Sequence, residues 1–157
     1  MENPQSLRSE ERTELRREII IHAPADQIWE ILTAFSEYPA WNPFIRNIRG
    51  DITEGSRITA SLRPQGGFGM TIHPVLRHVD PPRELRWAGS LLVHGLFDGE
   101  HIFEIRPVDA ETTRFIQREL FSGILLPLLW PALQWNTAPA FDAMNAALKE
   151  RAERGRV

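Results

Sequence analysis

The sequence predicts an α+β fold in which a curved antiparallel sheet of about six or seven strands wraps around one long C-terminal helix. Three observations predict it. One strand and two short helices come first, a long stretch of alternating polarity follows, and the C-terminal part has helical periodicity. The apolar face of such a sheet must be covered, and the helix is the element that covers it. The space between sheet and helix is a natural place for a ligand.

The first strand and the two short helices are predicted near the N-terminus. Residues 15–22 alternate in polarity and precede Pro24, which ends the strand. Residues 25–33 place apolar side chains at helical spacing, and a proline just before them suits the first turn of a helix. Residues 36–41 predict a second, shorter helical turn, bounded by prolines.

The middle of the chain predicts the antiparallel sheet. Its segments alternate in polarity and are separated by turns rich in proline and glycine, and they cover residues 44–49, 56–63, 68–79, 84–90, 96–106 and 112–121. Pro74 lies within the third of these segments. Because proline cannot donate to a strand ladder, it is a point at which this strand could break.

The C-terminal helix is predicted over residues 125–154. Apolar and small side chains recur there at spacings of three and four, namely Leu133, Thr137, Phe141, Met144 and Leu148, with Asn145 flanking the stripe. Pro127 and Pro131 predict a loop or a first turn. Pro139 falls inside the periodic segment and is expected to kink the helix or to set its start.

Composition indicates one ordinary globular domain. The chain has 157 residues, of which 42% are hydrophobic and 25% are charged. We predict a single domain over residues 14–154, between flexible tails at 1–13 and 155–157. The net charge of −3 provides no basic face, so we predict no nucleic-acid partner. The absence of cysteine excludes disulfides and thiolate metal sites.

The sequence predicts a cytoplasmic protein with no integral membrane span. The N-terminal residues are polar and include acids, unlike those of a signal peptide. The longest apolar run, residues 123–133, is only about half of a membrane span and contains two prolines. The histidines at 73, 78 and 94 lack the spacing of a metal site, so we predict neither a metal nor a cofactor.

Several short motifs give a resemblance that covers residues 14–154. They are Ile-Ile-Ile-His-Ala-Pro at 19–24, Tyr-Pro-Ala-Trp-Asn-Pro-Phe at 38–44, Leu-Arg-Trp-Ala-Gly at 85–89, the segment 95–103 and Gln-Arg-Glu-Leu-Phe-Ser-Gly at 117–123. In order and spacing they resemble the SRPBCC (START-like) superfamily, in its polyketide cyclase/dehydrase-like branch. The resemblance implies the helix-grip fold and a deep cavity for hydrophobic or amphipathic small molecules between the sheet and the C-terminal helix.

Large side chains on the expected inward faces are the candidates for lining this cavity. With one exception they are aromatic rings of Trp or Phe, and the set is Trp41, Phe44, Trp87, Phe97, His101, Phe103, Phe121, Trp130, Trp135 and Phe141. For each of them ordinary core packing is the alternative. The apolar residues 125–135 leave a further alternative, a patch that binds a partner chain, including a second copy in a homodimer.

His101 and Glu119 are the candidate catalytic residues. Both are polar residues on faces that are otherwise apolar, and a histidine beside a carboxylate can act as an acid–base pair. Two structural alternatives remain open. Glu119 could simply satisfy a core histidine, or it could pair with one of the arginines at 63, 77 and 118.

Two main hypotheses for function follow from these residues. The first is a non-catalytic domain that binds a hydrophobic or amphipathic molecule such as a lipid, an isoprenoid or an aromatic metabolite. The alternative is an enzyme of the polyketide cyclase or dehydratase type that uses His101 and Glu119. A third hypothesis is the interaction module in which residues 125–135 meet a partner chain.

Overall fold

The computed structural model describes residues 12–91 and 93–154. The elements in chain order are β1 (Thr13–Ile21), α1 (Ala25–Thr33), a 3₁₀ turn (Phe35–Glu37), α2 (Tyr38–Trp41), β2 (Ile45–Arg49), β3 (Thr59–Leu62), β4 (Met70–Ile72), β5 (Val75–Asp80), β6 (Glu84–Ser90), β7 (Asp98–Asp109), β8 (Thr112–Ser122) and α3 (Leu126–Glu153). The predicted tails at 1–13 and 155–157 lie outside the described residues, except that residue 12 is described and Thr13 begins β1.

The strands form two antiparallel sheets rather than one. The larger sheet has the order β1-β8-β7-β6-β5, and the smaller has the order β2-β3-β4. The prediction of one sheet with about six or seven strands therefore undercounts them, because the segment 68–79 is two strands that separate at His73 and Pro74. The sheets remain connected at this point, where Ile58 N donates to Pro74 O and Arg57 bridges to Val75.

Helix α3 covers the concave face of the larger sheet, which confirms the predicted arrangement of sheet and helix. It packs chiefly against β1 and also against β8 and α1. Pro127 lies in its first turn, as predicted, but Pro131 and Pro139 both lie inside the helix. The expectation that Pro131 marks a loop or a first turn is therefore wrong. The buried side chains of Phe141, Met144 and Leu148 hold the helix on the core despite the backbone bonds that these prolines remove.

The core is formed by side chains from the concave face, the two short helices and α3. Phe103, Phe115 and Phe141 are fully buried there. Tyr38 is also fully buried, and its hydroxyl donates to Leu32 O at 2.6 Å, which ties α2 to α1. Burial raises the pKa of Tyr38, so the phenol stays neutral.

Candidate functional site

His101 and Glu119 lie opposite each other on β7 and β8. The strands pair so that His101 faces Glu119 and Phe103 faces Gln117, and alternation directs all four side chains to the concave face. His101 is only 4% exposed, and its Nδ1 lies 3.5 Å from Glu119 Oε2. The two candidate catalytic residues therefore meet. The arginine at 118, one of the partners considered from the sequence, pairs instead with Glu14 and Glu104.

Aromatic rings surround the imidazole of His101. The ring centroid of Phe103 lies 4.5 Å from it, that of Phe141 5.1 Å and that of Trp87 5.2 Å. Phe44 stacks on the imidazole at 6.5 Å and contacts Phe141 at 5.5 Å. These rings come from the residue before β2 and from β6, β7 and α3, so His101 lies where the sheet and the helix meet. We call these four aromatic residues together with His101 the His101 cage.

Asn42 fixes the position of Phe44 in this cage. Its buried Oδ1 accepts hydrogen bonds from the backbone N–H groups of Phe44, at 3.0 Å, and Ile45, at 2.9 Å. Trp41, the preceding residue, packs instead against Tyr38 at 5.2 Å. The turn between α2 and β2 thus places Phe44 against the imidazole of His101. The nitrogens Trp41 Nε1 and Asn42 Nδ2 are buried without a hydrogen-bond partner among the residues described.

The remaining aromatic candidates lie near the start of α3. Phe97 stacks on Phe121 at 5.7 Å, and Phe121 contacts Trp130 edge-on at 6.2 Å. Trp135 is different, because it is 83% exposed and does not line the interior. The reason is helical geometry: a residue six positions from Phe141 points about 120° away from it around the helix axis.

Two polar residues that were not predicted as site residues, Gln117 and Asn145, are buried in the structure. Gln117 is fully buried on the concave face, where its Nε2 donates to Met144 Sδ at 3.1 Å. Asn145 is also buried, although it was expected to flank the apolar stripe. The atoms Gln117 Oε1, His101 Nε2 and both polar side-chain atoms of Asn145 have no hydrogen-bond partner within the described part of the chain. Strand alternation places Gln117 on the same face as Glu119, and this pattern in the sequence could have identified it as a site residue.

The structure has a groove of about 390 Å³ on the surface of α3. It lies between α3 and the loop that joins β3 to β4, and it is lined by Pro43, Ala140, Ala143 and residues 63–67. Pro43 and Ala140 directly precede the cage residues Phe44 and Phe141 in the chain. Two residues that line the groove are thus neighbours of cage residues along the chain.

Exposed apolar side chains cluster around the start of α3 and the adjacent loops. They include Phe68, Val93, Ile124, Leu128 and Trp135. The loop before β7 is tied to this region because Ile124 N donates to Gly95 O, and the loop between β3 and β4 because Gln65 N donates to Asn136 O. Within residues 12–91 and 93–154, no group of three or more His, Asp or Glu side chains is arranged to hold a metal ion. No helix there is long and apolar enough to cross a membrane.

Comparisons with known proteins agree with the fold described above. The sequence profile of the family described as polyketide cyclase / dehydrase and lipid transport matches residues 12–153. No curated protein matches the chain. The solved structure of the Zhui aromatase/cyclase from Streptomyces sp. R1128 is 18% identical, with a TM-score of 0.73 over 91% of this chain and 94% of that one.

Two further structures have the same fold. A START superfamily protein from Mycobacterium smegmatis is 20% identical, with a TM-score of 0.69 over 90% of this chain and 97% of its own. The di-domain ARO/CYC BexL of the BE-7585A biosynthetic pathway is 16% identical, with a TM-score of 0.69. The match covers 90% of this chain but 46% of BexL, so the chain spans about half of that protein.

The gripped helix and the ring-lined site beneath it give the chain the fold of a START-like domain. The chain belongs to the polyketide cyclase/dehydrase and lipid transport family.

Proposed function

We propose that the protein binds a hydrophobic or amphipathic small molecule, such as a lipid, an isoprenoid or an aromatic metabolite, between the larger sheet and α3. One observation carries the proposal: His101 Nε2, on an imidazole ringed by aromatic side chains, and Gln117 Oε1 are buried without a hydrogen-bond partner among residues 12–91 and 93–154. Buried polar atoms are nearly always hydrogen-bonded, and a ligand with one polar group would satisfy them. A cytoplasmic location remains a prediction from the sequence.

Binding requires the rings of the His101 cage to separate. Phe44 and Phe141 contact each other across the space between β2 and α3, next to the groove at Pro43 and Ala140. Rotation of these two rings would join the groove to the cage. A flat aromatic ligand, or a ligand with a hydrocarbon chain, can replace the contacts between these two rings with contacts of similar strength.

An enzyme of the cyclase or dehydratase type is the second candidate, favoured by the 3.5 Å approach of His101 to Glu119. In a dehydration one group removes a proton from carbon, and the leaving hydroxyl takes up a proton and departs as water. His101 and Glu119 could serve as these two groups. Replacement of His101 by Ala is then expected to abolish turnover while folding persists, and unchanged turnover would rule out this role.

Two measurements together test the binding proposal. Native mass spectrometry of the purified protein, followed by denaturing extraction, identifies any lipophile that co-purifies. A titration with 2-naphthol then follows tryptophan fluorescence. Because Trp87 lies in the cage, a bound ring should quench its emission, and Trp87→Phe should lose that response. Trp135→Phe, which changes an exposed tryptophan, is the matched control and should keep it. A response that survives Trp87→Phe but not Trp135→Phe would place binding on the surface instead.

A homodimer through the apolar side chains around the start of α3 remains a separate proposal. Its support is the exposure of Ile124, Leu128 and Trp135 on one segment. Sedimentation equilibrium tests it, and Leu128→Glu should dissociate such a dimer. A monomer at every concentration would refute it.

A further inference from the structure

We infer that the sheet side of the His101 cage recognises a hydrogen-bond donor, so that the ligand class is a neutral, hydroxyl-bearing aromatic compound rather than an ester, an ether or a carboxylate. The inference rests on the proposed binding function and makes it more specific. It depends on the proton positions of two side chains, His101 and Gln117, which their neighbours determine.

Glu119 determines which nitrogen of His101 carries the proton. A neutral imidazole has one N–H, and its other nitrogen is an acceptor. The carboxylate of Glu119 lies 3.5 Å from Nδ1, and a negative oxygen favours an N–H there over a lone pair. The proton therefore resides on Nδ1. Nε2, which is buried and has no partner among the described residues, is then a hydrogen-bond acceptor.

Gly99 provides the space that Glu119 needs. It lies two residues before His101 on β7 and therefore on the same face of the sheet. A Cβ atom at this position would lie 2.9 Å from Glu119 Oε1, closer than real Cβ atoms come to other atoms, so the end of the Glu119 side chain would have to move. The missing side chain thus allows the carboxylate to extend over β7 toward the imidazole. This makes Gly99 a positioning residue.

Met144 determines the orientation of the Gln117 amide. Sulfur is a weak acceptor and has no proton to donate, so the amide directs its NH₂ group to Met144 Sδ at 3.1 Å. The amide oxygen then points elsewhere and is buried without a partner in the described structure. Because Gln117 is the diagonal neighbour of His101 across β7 and β8, its oxygen lies on the same part of the concave face.

The two unpartnered atoms on the sheet face are therefore both acceptors. A hydroxyl can donate to one of them, whereas an ether, ester or carboxylate oxygen would leave both unpaired. A carboxylate would in addition face Glu119. Asn145 does not change this preference, because its amide can pair with a donor or an acceptor. The aromatic rings of the cage favour a flat ring as the carrier of the hydroxyl.

Three probes of one ring system test the inference: 2-naphthol, 2-methoxynaphthalene and naphthalene. Calorimetric titration at about pH 8 keeps the phenolic hydroxyl of the probe protonated. We expect 2-naphthol to bind about tenfold more tightly than its methyl ether. Gln117→Leu should reduce that ratio, while Gln134→Leu, the same change at an exposed position of α3, should not.

The outcomes separate this inference from the proposed function. Equal affinity for 2-naphthol and 2-methoxynaphthalene would overturn the inference while the binding function stands. No binding of any probe would overturn both. Long-range ¹⁵N–¹H correlation of the His101 ring gives an independent measurement that needs no variant. A proton on Nδ1 supports the inference, and a proton on Nε2 overturns it.

Discussion

The His101 imidazole and the Glu119 carboxylate approach to 3.5 Å on the concave face, because β7 and β8 pair them directly and Gly99 leaves room for the carboxylate. We predict that Gly99→Ala displaces the carboxylate and reduces the preference for 2-naphthol over its methyl ether severalfold. Gly89, the cross-strand partner of Gly99, is the matched control, since an added Cβ would make only ordinary contacts there, at 3.5 Å from Pro74. If both alanine variants retain the full preference, Gly99 does not position Glu119.

The turn between α2 and β2 supports a prediction about stability. Asn42→Ala leaves the backbone N–H groups of Phe44 and Ile45 buried without their acceptor. We expect a loss of about 2–3 kcal/mol in the free energy of unfolding, measured by urea denaturation. Asn42→Asp retains the accepting oxygen and should recover part of this loss. Asn47→Ala, an exposed change on β2, should alter stability by less than about 0.5 kcal/mol.

Phe141 gives a prediction that links stability to binding. Truncation to Ala removes a fully buried ring that contacts both Phe44 and His101. The free energy of unfolding should fall by about 3–5 kcal/mol, with a cavity left beside the imidazole. Naphthalene, added during thermal denaturation, should restore part of the lost stability because it fills that cavity. Trp135→Ala should show neither effect, and equal rescue of both variants would contradict a cavity at the cage.

The outer face of the sheet gives a prediction about pH. Burial alone would raise the pKa of Glu104, but hydrogen bonds from Arg118 and Arg106 outweigh it and hold that pKa below its ordinary value. Because the folded pKa is the lower one, the carboxylate stabilises the fold above the unfolded pKa. This contribution is lost as pH falls through the folded pKa.

We therefore expect Glu104→Gln to lower the free energy of unfolding by about 1–3 kcal/mol near neutral pH, and the difference from the natural chain to shrink on acidification. Urea denaturation at about pH 7, 5 and 3 measures it. Glu30→Gln, at an exposed position of α1, is the control. A difference that grows as the pH falls would contradict this assignment.

The sequence predicts strands and helices well where a single periodicity runs through a segment. It predicts them less well where contacts between distant segments determine the structure. The strand at residues 84–90 and the helix at 125–154 match β6 and α3 within one residue at each end. Pro74 marks the possible break in the sequence, but the division into two sheets depends on hydrogen bonding between distant segments there, which no local pattern contains. Within the site, alternation places His101 and Glu119 each on an otherwise apolar face, but the register of β7 and β8 decides that they meet, and the importance of Gln117 appears only when Met144 is seen beside it.

Binding between the larger sheet and α3 is tested most directly by an ¹⁵N–¹H NMR titration with 2-naphthol. We predict saturable chemical shift changes centred on the backbone amides of His101, Gln117 and Phe141. Shifts confined to the exposed apolar positions, such as Phe68 and Trp135, or no shifts at all, would contradict a binding site beneath the helix.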